Sequence, residues 1–118
     1  KREHWLGVAI SACEQSGRST LPEVRSPLDL DRFLADSPRE GQRLVLSPGG
    51  PASLAGLASM AAAVELLIGP EGGLDDTEIE AATRAGFSPV RLGPRVLRTE
   101  TAGIVALAVL QAMWGDLQ

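Results

Sequence analysis

The feature that most constrains this fold is a short apolar run that stops abruptly at glycine. Residues 64–68 are apolar almost throughout, which is typical of a β-strand covered on both faces. A Gly-Pro-Glu-Gly-Gly segment then breaks the run, and Asp75 followed by Glu78 forms the pattern of a helix N-cap. The sequence therefore predicts a buried strand, a glycine-rich loop and a helix, in that order.

The rest of the chain repeats this alternation, and turn residues separate the segments. Residues 49–62, rich in Gly, Ala and Ser, predict a mobile loop with one helical turn, and Thr101 is expected to cap the last helix. Strands alternating with helices predict an α/β fold with a mostly parallel sheet and flanking helices. The helices are expected at residues 3–16, 27–35, 75–86 and 101–116, and the strands at residues 44–46, 64–68 and 89–92.

Composition excludes several classes of protein. A chain of 118 residues can bury the core of one domain, and its net charge of −4 argues against a surface that grips nucleic acid throughout. One Cys and one His exclude a disulfide framework and a structural zinc site, so no metal is expected. The longest strongly apolar run, residues 102–110, is half of a membrane span, and no secretory signal opens the chain. These features predict a soluble, cytoplasmic domain without a membrane partner.

The predicted final helix is apolar nearly all round, with Ile, Val, Leu, Met and Trp on every face. A helix without a polar face is usually covered on both sides. In so small a domain, we expect a second subunit to supply one cover, which predicts a homodimer through the C-terminal helix region.

Two loops that follow predicted strands are candidates for a binding site. Open α/β sheets bind ligands at the carboxyl ends of their strands, and glycines let the backbone approach a ligand closely. Residues 66–74 hold the glycine-rich loop, which lacks the Lys and Ser/Thr of a P-loop. Residues 92–101 hold Arg95, Arg98 and Glu100. Each loop also has an alternative interpretation. The glycine-rich loop could be a tight turn without a ligand, and residues 92–101 could be a solvated connection.

Three segments carry a family resemblance: HWLGVAISACEQSGR, LLIGPEGGLDDTEI and LGPRVLRTETAGIVALA. Together they are similar to the RsmE family of bacterial methyltransferases, which belongs to the SPOUT superfamily and methylates N3 of a uridine in small-subunit ribosomal RNA. The resemblance extends from His4 to about Leu117. It implies an S-adenosylmethionine-dependent enzyme with a C-terminal trefoil knot and a dimeric assembly.

The family pattern also includes an N-terminal β-barrel for RNA binding and a first strand–helix–strand unit, neither of which matches residues of this chain. The resemblance thus implies that residues 1–118 are the C-terminal portion of a SPOUT methyltransferase domain. Two alternatives stay open. One is a SPOUT methyltransferase that acts on another RNA or on a ribose oxygen, and the other is a cofactor-binding or dimerisation module without catalysis.

The resemblance also implies which residues form the site. Arg98 is the candidate to stabilise negative charge on the uracil as N3 loses its proton, and Glu100 either orients Arg98 or takes that proton. Contacts with RNA are expected from Arg95, and contacts with RNA or with a second subunit from Glu14, Gln15 and Arg18. Cofactor binding is expected from Leu46, Pro48, Ile68, Gly69, Glu71, Gly72, Gly73, Leu92, Gly93, Pro94, Val96, Leu97 and Arg98.

Overall fold

The computed structural model describes residues 1–36, 41–57 and 63–117, and the chain divides into two compact units, Lys1–Phe33 and Leu34–Gln118. The helices are α1 (Arg2–Ser16), α2 (Leu30–Asp36), α3 (Asp76–Arg84) and α4 (Thr99–Trp114). The strands are β1 (Gln42–Leu46), β2 (Ala52–Ser53), β3 (Val64–Leu67) and β4 (Ser88–Arg91), and a 3₁₀ turn spans Leu54–Gly56.

The first unit is built around α1, which ends where the sequence predicts. Gly17 adopts a left-handed conformation (φ 76°) and its amide donates to the carbonyl of Cys13, a common way to end a helix. The Arg2 guanidinium donates from Nε to the carbonyl oxygen of Val24 at 2.7 Å, which ties the segment after the helix to its first turn. No residue of α1 is buried, and Trp5 is 55% exposed.

The second unit contains a parallel sheet with the strand order β2-β4-β1-β3. All three strand pairings among the described residues are parallel, and Leu44 of β1 is in register with Leu66 of β3 and Ser88 of β4. The prediction of an α/β fold with a mostly parallel sheet is therefore confirmed. The strand that comes last in the sequence, β4, lies between two strands that precede it.

Helix α4 covers one face of the sheet. Leu44 of β1 and Val90 of β4 are fully buried in a cluster with Ala106 and Leu110 of α4 and with Leu54 of the 3₁₀ turn. Successive residues of a strand point to opposite faces. Arg43 and Val45 therefore face the other side of the sheet.

Helix α3 lies on that other side. Its N-terminus has the predicted capping box, because Asp75 accepts from the amide of Glu78 at 2.8 Å and Glu78 accepts from the amide of Asp75 at 2.9 Å. Ala82 of this helix is fully buried, and the segment after it supplies Phe87 to the core. The two helices thus cover both faces of the sheet, as the apolar strands require.

The structure corrects two predictions about element boundaries. Helix α4 begins at Thr99 and its N-cap is Arg98, so the prediction that Thr101 caps the helix is wrong. The reason is that the carbonyl of Arg98 already accepts the amides of Thr101 and Ala102 at 3.0 and 2.7 Å. The loop expected at residues 49–62 also contains the short strand β2, while residues 58–62 lie outside the described residues.

Within residues 1–36, 41–57 and 63–117, none of the helices combines the length and the apolar character that crossing a membrane requires.

Candidate active site

A cleft of about 820 Å³ opens at the carboxyl ends of the three adjacent strands β4, β1 and β3. Three loops surround it, and each follows one of these strands. We call them the first loop (residues 47–51, after β1), the second loop (residues 68–75, after β3) and the third loop (residues 92–98, after β4). This is the position at which parallel α/β sheets bind ligands.

The first loop is held tightly against the end of β4. The amide of Ser47 donates to the carbonyl of Val90 at 2.8 Å, and the amide of Gly50 donates to the carbonyl of Ser47 at 3.0 Å. A Cβ atom at Gly50 would lie 2.9 Å from the carbonyl carbon of Val90, so only glycine fits at this approach of two backbones. Arg91 adds a hydrogen bond from Nη1 to the carbonyl of Gly50 at 3.1 Å.

The second loop turns back on itself directly after β3. A Cβ atom at Gly69 would lie 2.8 Å from the amide nitrogen of Leu74, which shows how closely the start of the loop packs on its end. The amide of Gly73 donates to the carbonyl of Pro70 at 2.8 Å, and Gly72 and Gly73 have φ values of 91° and 82°. The glycines of this loop therefore expose backbone, with no side chain over it, to the cleft.

The third loop leads directly into α4 and brings charge to the cleft. Arg95, Arg98 and Glu100 all line the cleft and are exposed. The hydroxyl of Thr99, the first residue of α4, donates to the carbonyl of Gly69 in the second loop at 2.8 Å. The charged side chains and the glycine-rich loop therefore share one cavity.

The structure brings most of the predicted site residues together. Of the residues predicted to bind a cofactor, all but Pro94 line the cleft, and so do both predicted catalytic residues and Arg95. Glu14, Gln15 and Arg18 belong to the other compact unit, where all three are exposed. Their role, like that of every residue at the cleft, stays a prediction.

Sequence reasoning missed some of the residues at the cleft. Thr99 and Ala102 lie in the first turn of α4, and neither carries a charge or a motif position that marks it in the sequence. Leu74 and Ile79 supply apolar surface from beyond the glycines. Nothing in the sequence distinguishes Ile79 of α3, which lies beside the cleft, from a core residue of the same helix.

The cleft can bind an organic molecule, and its residues are poorly suited to a metal. Its size falls within the range of about 300–1,000 Å³ that is typical of small-molecule sites. Apolar side chains and glycine backbone form most of the lining, with a few charged groups. In the part of the chain that the structure describes, no three His, Cys, Asp or Glu residues are grouped so that they could hold a metal ion.

Known proteins of one kind are similar to this chain. A protein of Buchnera aphidicola (subsp. Schizaphis graminum) named Ribosomal RNA small subunit methyltransferase E is 40% identical over 117 residues, which are 99% of this chain and 48% of that protein. The protein of the same name from Bacillus subtilis is 32% identical over 121 residues, 93% of this chain and 46% of that protein. This chain thus spans about half the length of these relatives.

Solved structures give the same result. The crystal structure of a Ribosomal RNA small subunit methyltransferase E from Neisseria gonorrhoeae, bound to S-adenosyl methionine, matches with a TM-score of 0.92 and 40% identity. The match covers 98% of this chain and 49% of that one. The family model described as RNA methyltransferase domain matches residues 1–111. The resemblance seen in the sequence is therefore confirmed, and the chain belongs to the RNA methyltransferase domain family.

Proposed function

We propose that this chain carries the catalytic site of an S-adenosylmethionine-dependent methyltransferase that acts on small-subunit ribosomal RNA, at N3 of a uridine. The observation that carries the proposal is the cleft formed by three loops at the carboxyl ends of adjacent parallel strands, with Arg98 and Glu100 at its edge. The similarity to proteins named for this activity supports it. An enzyme with this substrate would work in the cytoplasm.

The residues of the cleft fit S-adenosylmethionine. Gly72, Gly73 and Gly93 bring backbone to the cleft without a side chain over it, and Leu46, Ile68 and Leu92 offer apolar surface to a nucleoside. Glu71 adds a carboxylate on the second loop. The cofactor supplies an electrophilic methyl group, while the protein supplies binding, orientation and electrostatics.

Methylation at N3 requires that the uracil ring lose a proton. The N3–H bond breaks, the proton passes to a base, and N3 forms a bond to the methyl carbon as the sulfur–methyl bond breaks. Negative charge develops on the ring and its carbonyl oxygens, and a cation beside them lowers the barrier. Arg98 is exposed at the cleft and is assigned this role.

Glu100 is the second charged group at the start of α4. Two roles fit its position: it takes the N3 proton, or it accepts hydrogen bonds from Arg98 and holds the guanidinium in place. Positioning of the two reactants supplies much of the remaining acceleration, because a methyl transfer needs the nucleophile aligned with the methyl group.

The proposal includes a homodimer and a trefoil knot. Ile104 and Leu107 of α4 are 72% and 56% exposed, and they form an apolar face that a second copy of the chain would cover. Strand β4 enters the sheet between β1 and β2, and the third loop and α4 follow it. The knot itself is proposed from the family resemblance, since a strand can enter a sheet between earlier strands without a knot and knots are rare in proteins.

The test uses the intact protein. Calorimetric titration with S-adenosylmethionine should give one site per chain, and incubation with small ribosomal subunits from a strain that lacks the gene should transfer the methyl group to 16S RNA. Mass spectrometry of the nucleosides should then identify 3-methyluridine. A methylated ribose or a different base would contradict the N3 assignment, and binding without transfer to any RNA would favour a non-catalytic module.

A further inference from the structure

We propose that Thr99 is a positioning residue, whose hydroxyl sets the backbone of the second loop in the conformation that binds the cofactor. The proposal rests on the proposed function, because it concerns the same cleft. It adds a residue that neither the sequence motifs nor the charged groups of the site single out. Thr99 acts through the carbonyl of Gly69 and needs no contact with either substrate.

The central observation is one hydrogen bond between two elements that are 30 residues apart. The Thr99 hydroxyl donates to the carbonyl of Gly69 at 2.8 Å, and the bond is partly buried. A Thr hydroxyl at the start of a helix often caps the helix instead. Here the N-cap is Arg98, which makes no side-chain capping bond, so the hydroxyl at the helix start is used to hold another loop.

Gly69 is the point at which the second loop departs from the sheet. Strand β3 ends at Leu67, and the tight turn closed by Pro70 and Gly73 begins one residue after Gly69. The loop packs on itself at Gly69, because a Cβ atom there would lie 2.8 Å from the amide nitrogen of Leu74. A bond that holds the Gly69 carbonyl therefore helps to orient the rest of the second loop, residues 70–74.

A second contact between the same two elements supports this role. Gly103 lies one helical turn after Thr99 on the same face of α4, and a Cβ atom at Gly103 would lie 3.1 Å from Cδ1 of Ile68. Ile68 is the residue before Gly69. Helix α4 therefore contacts the start of the second loop twice. Gly103 packs on the side chain of Ile68, and the Thr99 hydroxyl binds the carbonyl of the next residue, Gly69.

The bond also links the two halves of the cleft. Arg98 and Glu100, on either side of Thr99, belong to the half that carries charge, and Gly69 belongs to the glycine-rich half. Thr99 itself has no charge and no assigned role in the reaction. Removal of its hydroxyl should therefore weaken cofactor binding, while the rate of methyl transfer at saturating cofactor stays near the wild-type value. An effect on the KM for S-adenosylmethionine that is larger than the effect on kcat distinguishes this role from catalysis.

The test compares three variants of the intact protein. Thr99→Val keeps the shape of the side chain and removes the donor, while Thr99→Ser keeps the donor. Thr83→Val is the matched control, because the Thr83 hydroxyl makes a bond of the same length, 2.8 Å, to the carbonyl of Ile79 within α3. Each variant is titrated with S-adenosylmethionine, and hydrogen exchange of the amides of residues 71–74 is followed without cofactor.

We expect Thr99→Val to weaken S-adenosylmethionine binding about tenfold, the effect of one hydrogen bond, and to speed exchange at residues 71–74 without changing exchange in β1 and β4. Thr99→Ser should restore both quantities to near the wild-type values, and Thr83→Val should change neither. Wild-type affinity and exchange in Thr99→Val would overturn the proposal. Failure of the wild-type protein to bind S-adenosylmethionine would instead overturn the proposed function.

Discussion

Arg43 and Glu65 lie side by side on neighbouring parallel strands, and the guanidinium Nε donates to the carboxylate Oε1 at 2.8 Å. The Arg43 side chain is 2% exposed and that of Glu65 is 41% exposed. The guanidinium also donates to the carbonyl of Ala85 at 2.8 Å and lies 4.1 Å from the ring centre of Phe87. A buried charge is thus stabilised at the end of the sheet that is farthest from the cleft.

Glu65→Ala should lower the free energy of unfolding by about 2 kcal/mol, because it removes a partner of a buried cation, and Arg43→Ala should lower it by about 3 kcal/mol. Urea unfolding measures both. The control is Glu23→Ala in the Glu23–Arg25 ion pair, whose side chains are 72% and 79% exposed. Its effect should stay below about 0.5 kcal/mol. Equal effects of Glu65→Ala and Glu23→Ala would contradict the role given to the buried pair.

Gly50→Ala should destabilise the protein. The new Cβ atom would meet the backbone of Val90 at 2.9 to 3.0 Å, and a backbone held in the centre of a sheet cannot easily move away. We expect a loss of about 2 kcal/mol in thermal or urea unfolding. Gly49→Ala is the matched control, since a Cβ atom at Gly49 meets nothing within 4 Å. If Gly50→Ala and Gly49→Ala had the same free energy of unfolding, the first loop would not be tightly packed against β4.

Arg98→Ala should lower kcat about 100-fold and leave the affinity for S-adenosylmethionine within about threefold, because the charge acts mainly on the transition state. Single-turnover methylation and calorimetry measure the two effects. Arg84→Ala, an exposed Arg on α3 that does not line the cleft, is the control. Wild-type turnover of Arg98→Ala would remove Arg98 from the mechanism.

Glu100→Gln separates the two roles that fit Glu100. The amide oxygen can still accept a hydrogen bond from Arg98, but the side chain no longer takes up a proton at neutral pH. A large loss of kcat would assign proton transfer to Glu100, and near-normal turnover would assign it the orienting role.

If the proposed homodimer forms through α4, replacing both Ile104 and Leu107 with Lys should give monomers that stay folded. Both side chains are exposed in a single copy of the chain, so the substitutions place charge only where a partner would pack. Sedimentation velocity at micromolar concentration measures the assembly, and circular dichroism monitors the fold. Thr77→Lys on the exposed side of α3 is the control. A wild-type protein that sediments as a monomer would contradict the proposed homodimer.

The strands next to the cleft could be predicted because their signals are local. The apolar run before Gly69 and the Asp75–Glu78 capping pair each act within a few residues, and the structure has β3 and α3 where these signals place them. Strand β2 could not be predicted, because two residues carry no period, and Ala52 and Ser53 are extended only through their pairing with β4.

The charged and the glycine-rich loops could be predicted to share one edge of the sheet, since parallel strands end on the same side. The bond between Thr99 and Gly69 could not, because it depends on the tilt of α4 over the sheet, which no sequence period encodes. Thr101 was the better capping candidate by position. The N-cap is nevertheless Arg98, three residues before Thr101, because its carbonyl accepts the first amides of the helix.

The placement of β4 at the interior of the sheet has a consequence for protein synthesis. Strand β2 pairs with β4, which begins 35 residues after β2 ends, and β1 pairs with β3 on one side but needs β4 on the other. Pairings between such distant segments form slowly, because loop closure must come first. A nascent chain that stops before residue 88 therefore lacks one of the two interior strands and the third loop, so the cleft is complete only after β4 and α4 have been made.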